Sequence, residues 1–255
     1  MPSRPAGDVD YDIAGIGYSK IRQADPRIEA QVHVALGDAR AVLNIGAGAG
    51  SYEPKDRHVI AIEPAAAMRA QRGPDRVPAI TGVAEALPLD DQSVDASMAM
   101  MTVHQWPDLA RGLAELVRVT RGPIVIMTAD GDALGGFWFN EYAPERIEAE
   151  RKRLPPIQTL VSGLGGHVDV ETVAIPLDCT DGFVEAFYGR PERMLDPAVR
   201  AAQSGWGFVS PDVEPRFVKT LSADLASGVW DRKYGALRTQ PTFDGGGRLV
   251  IRRRA

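Results

Sequence analysis

The stretch that decides the fold is VLNIGAGAGS, residues Val42–Ser51. Its apolar start, rich in Val, Leu and Ile, is typical of a buried β-strand. Glycines then occupy positions 46, 48 and 50. Because glycine has no Cβ and tolerates positive φ, such a loop can turn sharply and let a ligand touch its backbone. The stretch therefore predicts a buried strand that ends in a ligand-binding turn.

A second predicted strand, Val59–Ile62, ends in Glu63, and Pro64 suits the first position of a following helix. A carboxylate about 20 residues beyond a glycine loop is placed to accept the hydroxyls of a ribose. A dinucleotide site would need a third glycine at position 51, which is Ser51. The spacing therefore favours a nucleoside cofactor without a pyrophosphate, and a glycine-rich turn in another α/β protein is the alternative.

These two stretches resemble motif I and the ribose-binding acid of the class I S-adenosylmethionine-dependent methyltransferases. The resemblance implies S-adenosyl-L-methionine as cofactor. It also implies cofactor contacts at Asn44 and at residues 46–48 (Gly46, Ala47, Gly48), and at Glu63 and Pro64. Asn44 stands where the family usually has an acid that contacts the cofactor amino group. An amide oxygen can still accept that hydrogen bond, although without charge assistance.

Two further segments extend the resemblance. Residues 82–95, GVAEALPLDDQSVD, are similar to the family's adenine-binding segment, with Val83 in place of an Asp. The resemblance implies that the backbone of Val83 and Ala84 binds the adenine edge. Residues 11–22 resemble the cap that precedes motif I, which implies Tyr18 and Arg22 near the methionine carboxylate. Simple packing of Tyr18 and solvation of Arg22 are the alternatives.

A predicted strand over residues 96–101 leads to His104. Open α/β sheets bind ligands beyond the carboxyl ends of their strands, so Met100 and His104 should lie at the active-site mouth. A neutral histidine there could remove a proton from a methyl acceptor near pH 7. The resembling family keeps His here with unrelated acceptors, so a structural role is the alternative.

Alternating strands and helices predict an α/β fold with a doubly wound, mostly parallel sheet of seven strands. Val77–Ile80 is its expected third strand, and glycines 245–247 are expected to turn into the last one. We expect a Rossmann-like methyltransferase fold with a helical insertion between the sixth and seventh strands. The predicted units are a cap (1–36), the cofactor-binding core (37–180), an acceptor lid (181–240) and the last strand (241–255).

The amino-acid composition limits the classes of partner that the protein is expected to bind. The 255 residues include 29 Lys and Arg against 34 Asp and Glu, a net charge of −5, which argues against a nucleic-acid partner. No apolar run reaches membrane-spanning length. The single cysteine, Cys179, fits a reducing cytoplasm. The four histidines are scattered, so no metal site is expected, and we expect a monomer or homodimer.

The functional prediction is a cytoplasmic methyltransferase that transfers a methyl group to a small-molecule acceptor by in-line displacement. Phe137–Tyr142 contains four aromatic side chains near the end of the fifth strand. They could line a pocket for an apolar or aromatic acceptor, or only pack in the core. Methylation of carbon remains open, as does a cofactor-binding pseudoenzyme with a regulatory role, which the departures at Asn44 and Val83 favour.

Overall fold

The computed structural model describes residues 18–253. Its centre is a sheet of six strands in the order β2-β1-β3-β4-β6-β5. The first four strands are parallel, while β6 runs antiparallel to both β4 and β5. The strands are β1 Ala41–Ile45, β2 His58–Ile62, β3 Ala96–Met100, β4 Ile124–Ala129, β5 Val168–Pro176 and β6 Thr242–Arg252.

The doubly wound α/β fold is confirmed, but the count of seven strands is wrong for the described residues. The expected third strand, Val77–Ile80, pairs with β2 only through a single bridge between Ile62 and Ile80. Pro78 lacks the N–H that a further ladder bond would need. The segment therefore contacts the edge strand β2 at one residue only and does not add a strand to the sheet.

Aspartate side chains cap the start of some of the helices. Asp25 accepts a hydrogen bond from the backbone N–H of Arg27, and Asp108 accepts one from Arg111. The helices are α1 Tyr18–Ile21, α2 Pro26–Ala35, α3 Ala66–Ala70, α4 Leu109–Val119, α5 Phe139–Tyr142, α6 Pro144–Arg153, α7 Ile157–Leu164, α8 Pro197–Ala201, α9 Val213–Ala226 and α10 Val229–Tyr234.

The sheet separates two apolar layers. Val42 points into one layer and its neighbour Leu43 into the other, as the alternation of side chains along a strand requires. Leu113 and Leu116 of α4 cover the Leu43 side, and Leu36, just beyond α2, covers the Val42 side. The helices therefore cover both faces and leave the carboxyl ends of β1–β3 for a ligand.

The expected helical insertion lies between β5 and β6. Within this insertion Gly228 adopts φ +72° and separates α9 from α10. Glycines 245–247 lie inside β6 instead of preceding it. Gly246 has φ +88°, and β5 shifts register between Thr172 and Ala174. These glycines bend a strand and do not form a hairpin turn.

Residues 1–17, which belong to the predicted cap, lie outside the described residues, as do residues 254 and 255. Within residues 18–253 no helix combines the length and the apolar character that a membrane span needs. The same residues hold no group of three or more His, Cys, Asp or Glu placed to bind a metal ion.

Candidate active site

The glycine loop after β1 has the geometry that its sequence predicts. Gly46, Gly48 and Gly50 have φ of +63°, +50° and +94°. A Cβ on Gly46 would lie 2.1 Å from the Thr102 hydroxyl oxygen, and one on Gly48 would lie 3.3 Å from the Met68 methyl carbon. The loop therefore packs against the segment after β3 so closely that a side chain at Gly46 has no room.

Glu63 lies at the carboxyl end of β2 and is 6% exposed. One of its oxygens accepts a hydrogen bond from the Gly48 N–H and the other from the Ala65 N–H, both at 2.8 Å. Burial raises the pKa of this carboxyl, and the two backbone hydrogen bonds oppose that shift. Each oxygen can accept one more hydrogen bond, so the carboxylate is oriented for two hydroxyl donors in the cleft.

Asn44 belongs to a buried polar network beneath the loop. Its Nδ2 donates to Glu53 Oε1 at 2.9 Å, and Arg72 donates to both oxygens of Glu53, at 2.9 and 2.7 Å. The Oδ1 of Asn44 is buried and has no partner among residues 18–253. A buried acceptor without a donor is costly, so this oxygen is ready for a donor on a ligand.

An open cleft of about 570 Å³ connects these groups at the carboxyl ends of β1, β2 and β3. Of the predicted cofactor residues, Asn44, Gly46, Ala47, Gly48, Glu63 and Met100 line it. The lining residues that the sequence analysis does not name as cofactor contacts are Ala49, Ser51, Met68, Met101, Thr102 and Gln105.

The other predicted cofactor residues lie outside that lining. Val83 is 38% exposed and Ala84 is buried. Pro64 follows Glu63, and its carbonyl accepts a hydrogen bond from Arg69. The contacts proposed for these three residues therefore stay predictions.

Met101 is a lining residue of the cleft that the sequence analysis did not identify. It has φ +53°, a conformation that a non-glycine residue rarely adopts. Met101 lines this cleft and also a second cavity, of about 670 Å³ open volume. No sequence motif marks this residue, because the strained turn depends on contacts with β4, whose Met127 carbonyl accepts the Met101 N–H at 2.8 Å.

His104 lies in a short helical turn, Val103–Gln105, directly after β3. It is among the lining residues of the second cavity and not of the first cleft, and its Nε2 lies 3.4 Å from Gln105 Nε2. The residues around this cavity are Arg22, Met101, His104, Ala129, Leu134, Arg146, Glu150, Leu154, Phe183, Val184, Glu185, Ala202, Gln203 and Ser204. His104 therefore faces a space next to the cleft.

Arg22 is held by a buried carboxylate. Its Nε donates to Asp181 Oδ1 at 2.7 Å, and the Tyr52 hydroxyl donates to Asp181 Oδ2 at 2.7 Å. Burial and the adjacent Asp181 raise the pKa of Tyr52 well above its usual value. Arg22 lines the second cavity, and the side chain of Tyr18 lies outside the described part of the chain. Their contact with a cofactor carboxylate stays a prediction.

The aromatic stretch Phe137–Tyr142 lies in the core. All four aromatic side chains are at most 5% exposed, and none is among the lining residues of the cleft or the second cavity. Phe139 packs on Phe217 of α9 with ring centroids 4.7 Å apart. The Trp138 indole donates to the Tyr188 carbonyl at 2.9 Å. The stretch therefore fastens the helical insertion to the sheet.

Comparisons with known proteins agree with this geometry. The sequence model of the family described as a methyltransferase domain matches residues 43–123. Over 89 residues the chain is 37% identical to an uncharacterised methyltransferase of Mycobacterium tuberculosis, an alignment that covers 32% of this chain. The chain spans only 36% of the length of that curated relative.

Solved structures extend the likeness to most of the chain. A protein of Anabaena variabilis, described as a methyltransferase from an antibiotic biosynthesis pathway, is 31% identical with a TM-score of 0.84. That match covers 91% of this chain and 99% of the other. Geranyl diphosphate C-methyltransferase of Streptomyces coelicolor shares the fold, at 14% identity and a TM-score of 0.52 over 90% of this chain and 79% of the other.

Proposed function

We infer that this chain, which belongs to the class I S-adenosylmethionine-dependent methyltransferases, methylates a small-molecule acceptor held in the second cavity. The observation that carries the proposal is the position of Met101. This residue lines both the predicted cofactor cleft and the second cavity, so the two spaces meet at the carboxyl end of β3. Ligands of open α/β sheets bind at this end.

The cleft fits S-adenosyl-L-methionine on two observations. The unpartnered Oδ1 of Asn44 is an acceptor for the cofactor amino group, and Glu63 presents a carboxylate to the ribose hydroxyls. We propose that Ala47, Gly48 and Met100 complete this contact surface. The cofactor supplies an electrophilic methyl group when it is bound.

We propose further cofactor contacts from the family resemblance. These are adenine contacts from Val83 and Ala84, a contact at Pro64, and carboxylate contacts from Tyr18 and Arg22. We also propose residues 1–36 as a cap, 37–180 as the cofactor-binding core, 181–240 as the acceptor lid and 241–255 as the last core strand. A cytoplasmic location is proposed because Cys179 is a free thiol.

The residues of this chain contribute to the reaction mainly by aligning the acceptor with the methyl group. Holding the acceptor atom in line with the methyl group removes much of the entropic barrier to a bimolecular step. His104 faces the second cavity, where its imidazole can take the proton that a hydroxyl or amine loses as the new bond forms.

The test is calorimetric titration of the protein with S-adenosylmethionine, S-adenosylhomocysteine and, as control, NAD. We expect binding of the first two and none of NAD. An acceptor screen by mass spectrometry then follows the gain of one methyl group on small molecules. Absence of binding by either sulfur nucleoside would overturn the proposal, and so would binding of NAD alone.

A further inference from the structure

Arg146, in the first turn of α6, carries a charge into the protein interior. It is 3% exposed, and its guanidinium lies 5.3 Å from the ring centroids of both Phe139 and Trp206. Its ion pair with Glu150 is long, at 3.5 Å. The Nε of Arg146 is buried and has no hydrogen-bond partner within the described part of the chain.

This arrangement leaves the guanidinium short of acceptors. Glu150 also pairs with Arg153, at the shorter distance of 3.0 Å. Burial lowers the pKa of Arg146, which reflects the cost of removing its charge from water. Buried charges are normally paired and hydrogen-bonded. Since Arg146 lines the second cavity, the missing acceptor can come from a ligand there.

Gly205 leaves room for the Arg146 guanidinium because it has no side chain. A Cβ on Gly205 would lie 2.7 Å from the Arg146 Nη2 and 2.3 Å from Glu150 Oε1. Any side chain at this position would displace Arg146 from its place at the wall of the cavity. The Arg146 guanidinium is therefore packed closely against the backbone at Gly205.

Glu185 is the opposite charge in the same cavity. It lies in the short helical turn Val184–Phe187 of the insertion, and no side chain between residues 18 and 253 forms an ion pair with it. Burial raises the pKa of its carboxyl, and its own backbone N–H and the charge of Arg146 only partly offset that effect. Glu185 therefore also has capacity for a hydrogen-bond donor on a ligand.

We propose that the second cavity selects a zwitterionic acceptor of the amino-acid class, with its carboxylate on Arg146 and its ammonium group on Glu185. The proposal rests on the function proposed above, because it takes this cavity as the acceptor site. A guanidinium fork matches a carboxylate with two parallel hydrogen bonds. The charges of the lining, Arg22 and Arg146 against Glu150 and Glu185, balance. A ligand with both charges keeps that balance and satisfies both groups, while a ligand with one charge satisfies only one.

The experiment titrates the protein, saturated with S-adenosylhomocysteine, with the twenty common L-amino acids one at a time by calorimetry. Any that binds is compared with the amine that lacks its carboxylate and with the acid that lacks its amino group. We expect at least one amino acid to bind and both one-charge analogues to bind at least tenfold more weakly. No binding by any amino acid, or equal binding by an analogue, would overturn the proposal.

Variants separate recognition from folding. A hydrogen bond to a charged group contributes about 1.5–3 kcal/mol, so Arg146→Gln and Glu185→Gln should each weaken amino-acid binding about 10- to 100-fold. Arg146→Lys keeps the charge but not the fork and should lose less. Arg216→Gln is the matched control, because Arg216 is exposed and pairs with Glu145 away from the cavity. Its amino-acid affinity should equal that of the parent.

Binding of S-adenosylhomocysteine distinguishes the two proposals. It should stay unchanged in all four variants, which also reports that each of them is folded. If the parent protein does not bind S-adenosylhomocysteine, the proposed function itself fails. If it binds and the Arg146 and Glu185 variants bind the amino acid as well as the parent does, only the assignment of these two residues fails.

Discussion

Substitution of Gly46 by alanine tests the glycine loop directly, because the chain supplies a matched control. Gly46 and Gly37 have nearly equal φ, +63° and +62°. An alanine at either position meets the same left-handed strain, about 1–2 kcal/mol. At Gly37 nothing lies within 4 Å of the added Cβ, whereas at Gly46 it would lie 2.1 Å from Thr102 Oγ1 and 2.7 Å from Thr102 Cβ. Overpacking of this kind costs about 1–3 kcal/mol more.

The assays are urea denaturation and calorimetric titration with S-adenosylhomocysteine. We expect Gly37→Ala to lose about 1–2 kcal/mol of unfolding free energy and to keep its cofactor affinity. Gly46→Ala should lose about 2–5 kcal/mol and bind the cofactor much more weakly, since the loop and Thr102 must move apart. In a chain of this size each kcal/mol lowers Tm by about 2–4 °C. Equal stability of the two variants together with normal cofactor binding in Gly46→Ala would refute the reasoning.

Three other predictions concern this cleft and the second cavity beside it. Asn44→Asp should destabilise the protein by about 1–3 kcal/mol in urea denaturation, because it replaces the donor to Glu53 by a second carboxylate; an unchanged midpoint would contradict this. Because burial raises the pKa of Glu63, cofactor affinity measured against pH should fall, as acid is added, at a higher pH than for an ordinary glutamate. Glu63→Gln should bind weakly with a flat pH profile, and a profile like that of the parent would exclude Glu63 as the titrating group. His104→Ala should leave S-adenosylhomocysteine binding unchanged, since His104 faces the second cavity; a large loss of affinity would place it in the cofactor site instead.

The agreement between sequence and structure is best where a residue's role depends on its immediate neighbours. The glycine loop and Glu63 at the end of β2 follow from short-range rules for glycine and for strand ends. The prediction of a strand at Val77–Ile80 was wrong, and so was the prediction of a turn at the glycines that lie inside β6. Whether a short apolar segment continues a sheet or a glycine run turns depends on the partner strand, which the local pattern does not contain.

The sequence by itself determined the doubly wound sheet, the glycine loop and the carboxylate that faces it, because these depend on periodicity and on the conformations that single residues allow. Only the tertiary structure decided which charges meet. Asn44, Glu53 and Arg72 form one buried network, and Asp181 binds Tyr52 across 129 positions of the chain. The place of Met101 in the lining of both cavities, and the meeting of Arg146 and Glu185 around one cavity, are likewise products of packing. Such contacts connect segments far apart in the chain, so no local pattern encodes them.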